Sequence, residues 1–116
     1  MAGKSVARKG VGVRVPPQVP TGGMDLDEAI RVLERGCATY VLQGSGGEYL
    51  YKGACRDLCE RLKDHRAGRV SRTKNRRPLR LVYCEYVEHY RDALRRERFL
   101  KSGKGRALLK HLLQAE

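Results

Sequence analysis

No apolar run in the 116 residues approaches the ~18 that a spanning helix needs. No apolar stretch follows the first charged residues, so a secretory leader is not expected. The two absences predict a cytoplasmic protein without a membrane partner. Four cysteines, Cys37, Cys55, Cys59 and Cys84, form no CxxC pair, and His65, His89 and His111 complete no zinc-like spacing. Reduced, partly buried thiols are expected, not a disulfide framework. A Walker loop is also missing: in SGKG, Ser102 to Gly105, no glycine stands at the required upstream place, and Gly105 holds the Ser/Thr position.

Acid is what the chain has least of for its charge. Twenty-five Lys and Arg face 13 Asp and Glu, a formal net charge of +12. Such a balance calls for a polyanionic partner, nucleic acid or an anionic membrane surface. The excess is concentrated: from Arg61 to Arg80 there are nine basic residues, and Asp64 is the sole acid. Charges this dense repel one another unless something neutralises them, which weighs against a merely solvated loop. Ser71, Thr73 and Asn75 are interleaved and supply donors suited to phosphate. Lys63, Arg69, Arg72, Lys74, Arg76 and Arg77 are therefore candidate phosphate contacts, with Lys101 and Lys104 further on.

Residues 1–23 hold four basic residues, five glycines and three prolines, with no apolar periodicity. They read as a disordered basic arm. Within it, GVRVPP (Gly12–Pro17) back-translates to something like a transfer-RNA T-arm, so the arm need not have been selected to fold. Over residues 24–36, Leu26, Ile30 and Leu33 at helical spacing predict a short amphipathic helix, ended by Gly36. Two β-prone runs, ATYVLQG and EYLYKGA, flank Ser45–Gly47 and predict an antiparallel hairpin. DLCERLKDHRAG predicts a helix opened by Asp57 and Glu60 and closed by Gly68. LRLVYCEYVE predicts a third strand, apolar on both faces and so central. RDALRRERFLKSG and GRALLKHLLQ predict two last helices. The expected fold is α/β: a small three-stranded antiparallel or mixed sheet flanked by helices.

The stretch YLYKGACRDLCERLKDH, Tyr49 to His65, puts Tyr51 on a strand and Arg61 and His65 one turn apart on the next helix. Tyr40 lies on the neighbouring strand. Tyrosine can relay a proton, and arginine can grip a phosphate bidentately. Glu97, four residues from Ala93 and three from Leu94 and Leu100, falls on the inward face of its helix, while Arg95, Arg96 and Arg98 point elsewhere. A carboxylate there needs a partner. It pairs with an arginine such as Arg61, or it holds a hard divalent cation beside a phosphate.

The ordered set resembles the GIY-YIG endonuclease family, particularly its small stand-alone bacterial members. ATY (Ala38–Tyr40) stands at the GIY place and YKG (Tyr51–Gly53) at the YIG place. DLCERLKDH is similar to the arginine helix. TKNRRPLRLVYCE and ALRRERFLKSGKGR are similar to the third strand and the glutamate helix. The likeness spans about Cys37 to Leu113, within a domain placed at 37–114. It implies metal-dependent hydrolysis of a DNA phosphodiester, releasing the 3′ oxygen and leaving a 5′-phosphate. Tyr40 would be the general base or orient the water, and Tyr51 would assist or hold the phosphate. Arg61 would stabilise the pentavalent phosphate, His65 would support proton transfer or bind phosphate, and Glu97 would hold Mg²⁺ or Mn²⁺. These groups are expected on one concave surface. Gly53 would permit a close backbone approach. Two departures stand out: only the tyrosine of the first motif remains, and Lys52 replaces an apolar residue, where it contacts phosphate or points outward. No asparagine follows the glutamate helix near Leu108 and Leu109. A catalytically weak or inactive nucleic-acid-binding module is the alternative. No separate recognition domain is evident, so a structure-directed substrate is expected, in repair, recombination, mobile-element or defence settings.

Overall fold

The computed structural model describes residues 4–8 and 11–114. Its elements in chain order are β1 (Lys4–Arg8), β2 (Val11–Val15), β3 (Met24–Asp25), α1 (Leu26–Val32), β4 (Ala38–Gln43), β5 (Leu50–Cys55), α2 (Leu58–Arg66), a 3₁₀ turn (Lys74–Arg76), β6 (Arg80–Tyr86), α3 (Tyr90–Lys101) and α4 (Gly103–Gln114). The strands form one antiparallel sheet in the order β1-β2-β6-β4-β5, with β3 also pairing β6. The expected three-stranded hairpin-plus-strand unit is thus β5-β4-β6, with β4 at its centre.

β6 is interior for a different reason from the one its apolar faces suggested. It is flanked by β4 on one side, and by β2 and β3 on the other. The stretch expected as a disordered arm, residues 1–23, holds β1 and β2. Residues 1–3 and 9–10 of that arm lie outside the described residues, but Lys4–Arg8 pairs with Val11–Val15, and Arg14 pairs with Tyr86. Val11, Val13 and Val15 alternate with period two, a strand signal overshadowed by the surrounding glycines and prolines. The unpaired edge of β6 supplies the backbone partners that such a segment needs. Arg14 adds a cation–π contact, 4.8 Å from the Tyr86 ring centroid, and pairs with Glu34.

The pleat then sorts side chains into two layers. Ala38, Tyr40 and Leu42 of β4, with Cys55, Leu81 and Cys84, pack against α1 and α2. Val41 and Val82 face α3 and α4 through Leu100 and Leu109. Asp57 caps α2, accepting from the Glu60 amide at 3.2 Å. α4 starts close against the end of α3. A Cβ on Gly105 would sit 2.0 Å from the Phe99 carbonyl oxygen, so only glycine fits there.

The fully buried acid of the second layer is Glu85, whose side chain is 0 % exposed; Asp92 of α3 is buried as well. Arg96 grips it with Nε at 2.6 Å and Nη2 at 3.0 Å, and the Tyr83 hydroxyl donates to it at 2.7 Å. Arg96 therefore does not point away from the core as its helical position suggested; its long stem reaches back to β6. Arg96→Ala would leave an uncompensated buried carboxylate, and an expected loss of about 3–5 kcal/mol of stability follows. A denaturant midpoint series checks it. A loss below about 1 kcal/mol, the size of an exposed pair, would show that water already reaches Glu85.

Candidate active site

β4 and β5 pair so that Tyr40 lies opposite Gly53 and Leu42 opposite Tyr51. Both phenols therefore project to the α2 side of the sheet. Tyr40 is fully buried, and Tyr51 is half-buried beside it, with ring centroids 6.2 Å apart. α2 presents Leu58, Leu62 and His65 inward at helical spacing, all fully buried. The His65 ring meets both tyrosines edge-on, 5.4 Å from Tyr40 and 5.2 Å from Tyr51. One turn earlier, Arg61 Nε donates to the Tyr40 hydroxyl at 3.3 Å. The Tyr40 hydroxyl and His65 Nε2 are 2.7 Å apart.

Burial governs the protonation of this group. It pushes the Tyr40 phenol well above its ordinary range, against the opposing pull of Arg61, so the phenol stays protonated. Burial, with the nearby Arg61 charge, lowers His65 to about 4, only partly offset by Asp64. His65 is therefore neutral at physiological pH and has one ring N–H. Its second nitrogen, Nδ1, lies 2.8 Å from the Thr73 hydroxyl, which is itself fully buried. Thr73 is thus not a phosphate donor at the surface, as its place in the basic loop suggested. The spacing of Thr73 from His65 across a turn carries no periodic signal that sequence alone could show.

Gly53 makes room for the phenol. A Cβ there would lie 2.6 Å from both Tyr40 Cζ and its oxygen, and 2.9 Å from Tyr51 Cε2. Gly53→Ala is expected to cost about 1–3 kcal/mol, as overpacking does, and to push Tyr40 off His65. Thermal unfolding reads the first effect, and loss of the hydroxyl–imidazole bond in proton NMR reads the second.

Glu97 is not part of this group. α3 packs on the opposite layer, where the Thr39 hydroxyl donates to the Ala93 carbonyl at 2.7 Å. The expected inward pairing of Glu97 with Arg61 is absent among the described residues: its carboxylate accepts from Lys101 Nζ at 2.6 Å. Leu94, one of the three neighbours that made Glu97 look inward, is 37 % exposed. The fully enclosed acid is Glu85 of β6, which the α3 periodicity alone had no means to show. Tyr40, Tyr51, Arg61 and His65 thus converge, while Glu97 stands on a helix of the other layer. β5 is the shared boundary, because Tyr51 leaves it toward α2 and Lys52 toward α3 and α4. Burial, with Arg106 and Lys101 nearby, holds the Lys52 ammonium below its usual range.

Residues 36–110 match the family model of the GIY-YIG catalytic domain. The chain belongs to the GIY-YIG family. UPF0213 proteins of Staphylococcus aureus strains Mu3, MW2 and COL are each 39% identical to it over 64 residues, covering 54% of this chain and 77% of theirs. No solved structure matches. A GIY-YIG domain is of nuclease type, so its substrate class is nucleic acid. Among the described residues no helix is long and apolar enough to cross a membrane.

Around the GIY-YIG tyrosines the basic residues divide. Lys63 is tied to Glu60 at 3.2 Å and Arg69 to Asp64 at 2.9 Å. Arg77 serves the backbone, donating to the Lys74 and Arg66 carbonyls at 2.9 and 3.2 Å. Arg72, Lys74, Arg76 and Lys104 are exposed. Arg76 lies 4.2 Å over the Tyr49 ring, and the Tyr49 hydroxyl donates to the Arg72 carbonyl at 3.1 Å, which ties the β4–β5 hairpin to the basic loop. A groove of about 460 Å³ runs beside this loop, lined by Asp25, Asp27, Arg66, Lys74 and Arg77 among others. It lies apart from the tyrosines, and an Asp27–Arg66 pair at 2.6 Å already links two of its residues.

Proposed function

We propose that this chain is a metal-dependent DNA endonuclease directed by DNA structure more than by a long sequence. The convergence of Tyr40, Tyr51, Arg61 and His65 on one side of the β4–β5 hairpin carries the reading. In it, Arg61 and Tyr51, the two partly exposed members, meet the scissile phosphate. Arg61 neutralises charge as the phosphorus becomes pentavalent. Tyr40 lies beneath them and orients the attacking water, or takes its proton as its own phenolic proton passes to His65 Nε2, once Arg61 turns to the phosphate. His65 supports that proton from behind. The 3′ oxygen leaves, and the product keeps a 5′-phosphate. Arg72, Lys74, Arg76 and Lys104, with Lys52 and Lys101 across the β5 edge, contact phosphates along the strand.

Among the described residues no group of three or more His, Cys, Asp or Glu side chains is placed to hold a metal ion. A hard cation needs less here, since Mg²⁺ commonly takes one or two carboxylates and fills its shell with water and substrate phosphate. Glu97, with its side chain 22 % exposed, fits that limited demand and would hold Mg²⁺ or Mn²⁺ in exchange for Lys101. Bound with the phosphate at the β5 edge, the ion would neutralise charge and acidify a water.

The test incubates supercoiled, branched and single-stranded DNA with the full chain, with Mg²⁺ and with chelator. Metal-dependent nicks with 5′-phosphate ends are expected. Binding that weakens steeply with salt but never cuts would favour the second reading, a nucleic-acid-binding module. The Glu97–Lys101 pair and the complete burial of Tyr40 are the observations that favour that second reading.

A further inference from the structure

Thr73 sits in the middle of the most basic loop of the chain, yet its side chain is fully buried and turned inward. Its hydroxyl has two neighbours: His65 Nδ1 at 2.8 Å and the Val70 carbonyl oxygen at 3.5 Å. The carbonyl can only accept. His65 is fully buried as well, and its two ring nitrogens have one partner each, Thr73 and Tyr40. Beyond them Arg61 Nε can only donate to Tyr40.

Two proton orders are conceivable along this row. In one, Thr73 donates to Nδ1, and Nε2–H donates to the Tyr40 oxygen. That oxygen then receives two donors, Arg61 and His65, and its own proton is left in a fully buried site with no acceptor. A buried hydroxyl in that position costs about 1–3 kcal/mol. In the other order, Thr73 donates to the Val70 carbonyl, Nδ1–H donates to Thr73, Tyr40 donates to Nε2, and Arg61 donates to Tyr40. Every donor then has an acceptor.

We propose that Thr73 is a positioning residue: it holds His65 as the Nδ1–H tautomer, so that Nε2 draws the Tyr40 proton inward and leaves the lone pairs of the Tyr40 oxygen turned toward Arg61 and the substrate side. This rests on the reading of Tyr40 as part of the active site. Its consequence is that the phenol waits as an acceptor toward the substrate, instead of pointing its proton at it. Thr73 does this across the chain turn that joins α2 to the basic loop, so the loop that meets DNA and the tautomer of the buried imidazole are fixed by one residue. The charged and titratable groups that face His65 are Arg61 and Asp64 from its own helix, Tyr40 from β4 and Tyr51 from β5. The low proton affinity of the ring keeps it neutral, with a single tautomer to read, across the working range.

Long-range ¹H–¹⁵N correlation spectra of the full chain test the proton order directly. Between about pH 5.5 and 8, roughly the span around the ordinary histidine pKa, one invariant imidazole with the Nδ1–H pattern is expected for buried His65. Thr73→Val should move that ring toward Nε2–H, and Thr73→Ser should restore it. In cleavage, Thr73→Val should lower the rate about 10- to 100-fold, the usual effect of removing an orienting partner, with DNA affinity unchanged and serine rescuing. An Nε2–H ring in the unaltered protein, or a Thr73→Val spectrum identical to it, would overturn the assignment. The unaltered spectrum needs neither a folded variant nor any cleavage, so an inert nuclease would sink the proposed function and leave the tautomer to be judged on its own.

Discussion

Arg61→Ala is expected to slow DNA cleavage by about 10²- to 10³-fold, the effect of deleting one preorganised charge at a developing oxyanion. The side chain is 37 % exposed, with its Nε on the Tyr40 hydroxyl at 3.3 Å and a loose 3.8 Å approach to Asp64. The Asp64 approach is an exposed pair worth about 0–1 kcal/mol, and without Arg61 the Tyr40 hydroxyl keeps His65 as its partner at 2.7 Å. The fold should therefore survive the change, and a melting curve run beside single-turnover cleavage separates the two effects. Arg61→Lys should not rescue, because a point ammonium cannot reproduce a planar two-pronged grip on phosphate. A rate within about threefold of the unaltered chain, roughly 0.7 kcal/mol of barrier, would remove Arg61 from the transition state.

Glu97→Ala should abolish metal-supported cutting, and its effect is the largest foreseen. A metal that stabilises transition-state charge contributes several kcal/mol, and each 1.36 kcal/mol is about tenfold in rate. A loss of about 10³-fold or more is expected, without recovery at high Mg²⁺. Stability should barely move, since the pair lost is the exposed one with Lys101. Lys101→Ala supplies the opposite test. Freed of its ammonium at 2.6 Å, the carboxylate should take metal more readily, so cleavage should reach half-maximum at lower Mg²⁺. Cutting that persists in Glu97→Ala would place the metal elsewhere, or nowhere. The location of Glu97 on the other layer makes this the sharper test of the two, because its role depends on a phosphate lying across the edge strand β5.

The periodic parts of the chain were legible as written. Leu58, Leu62 and His65 at helical spacing gave α2 its buried face, and Asp57 with Glu60 marked where it begins. The β4–β5 hairpin followed from two β-prone runs around Ser45–Gly47. Hidden were the features that depend on distant partners. Alternating valines from Val11 to Val15 became a strand because β6 had an open edge for Arg14 to pair with at Tyr86. Arg96 was expected to point away from the core until the α3 packing brought it within 2.6 Å of Glu85. Thr73 looked like a phosphate donor until the loop folded it onto His65.

From residue order alone came the local elements, the excess of positive charge and the motif set Tyr40, Tyr51, Arg61 and His65, because each depends on spacing along one strand or one helix. Tertiary structure alone decided that Glu85 is fully enclosed, which of the cations are already paired, and which partners the two nitrogens of His65 meet. Those choices belong to side chains that are far apart in the chain, and a buried polar atom settles on whichever partner the packing brings within hydrogen-bond reach.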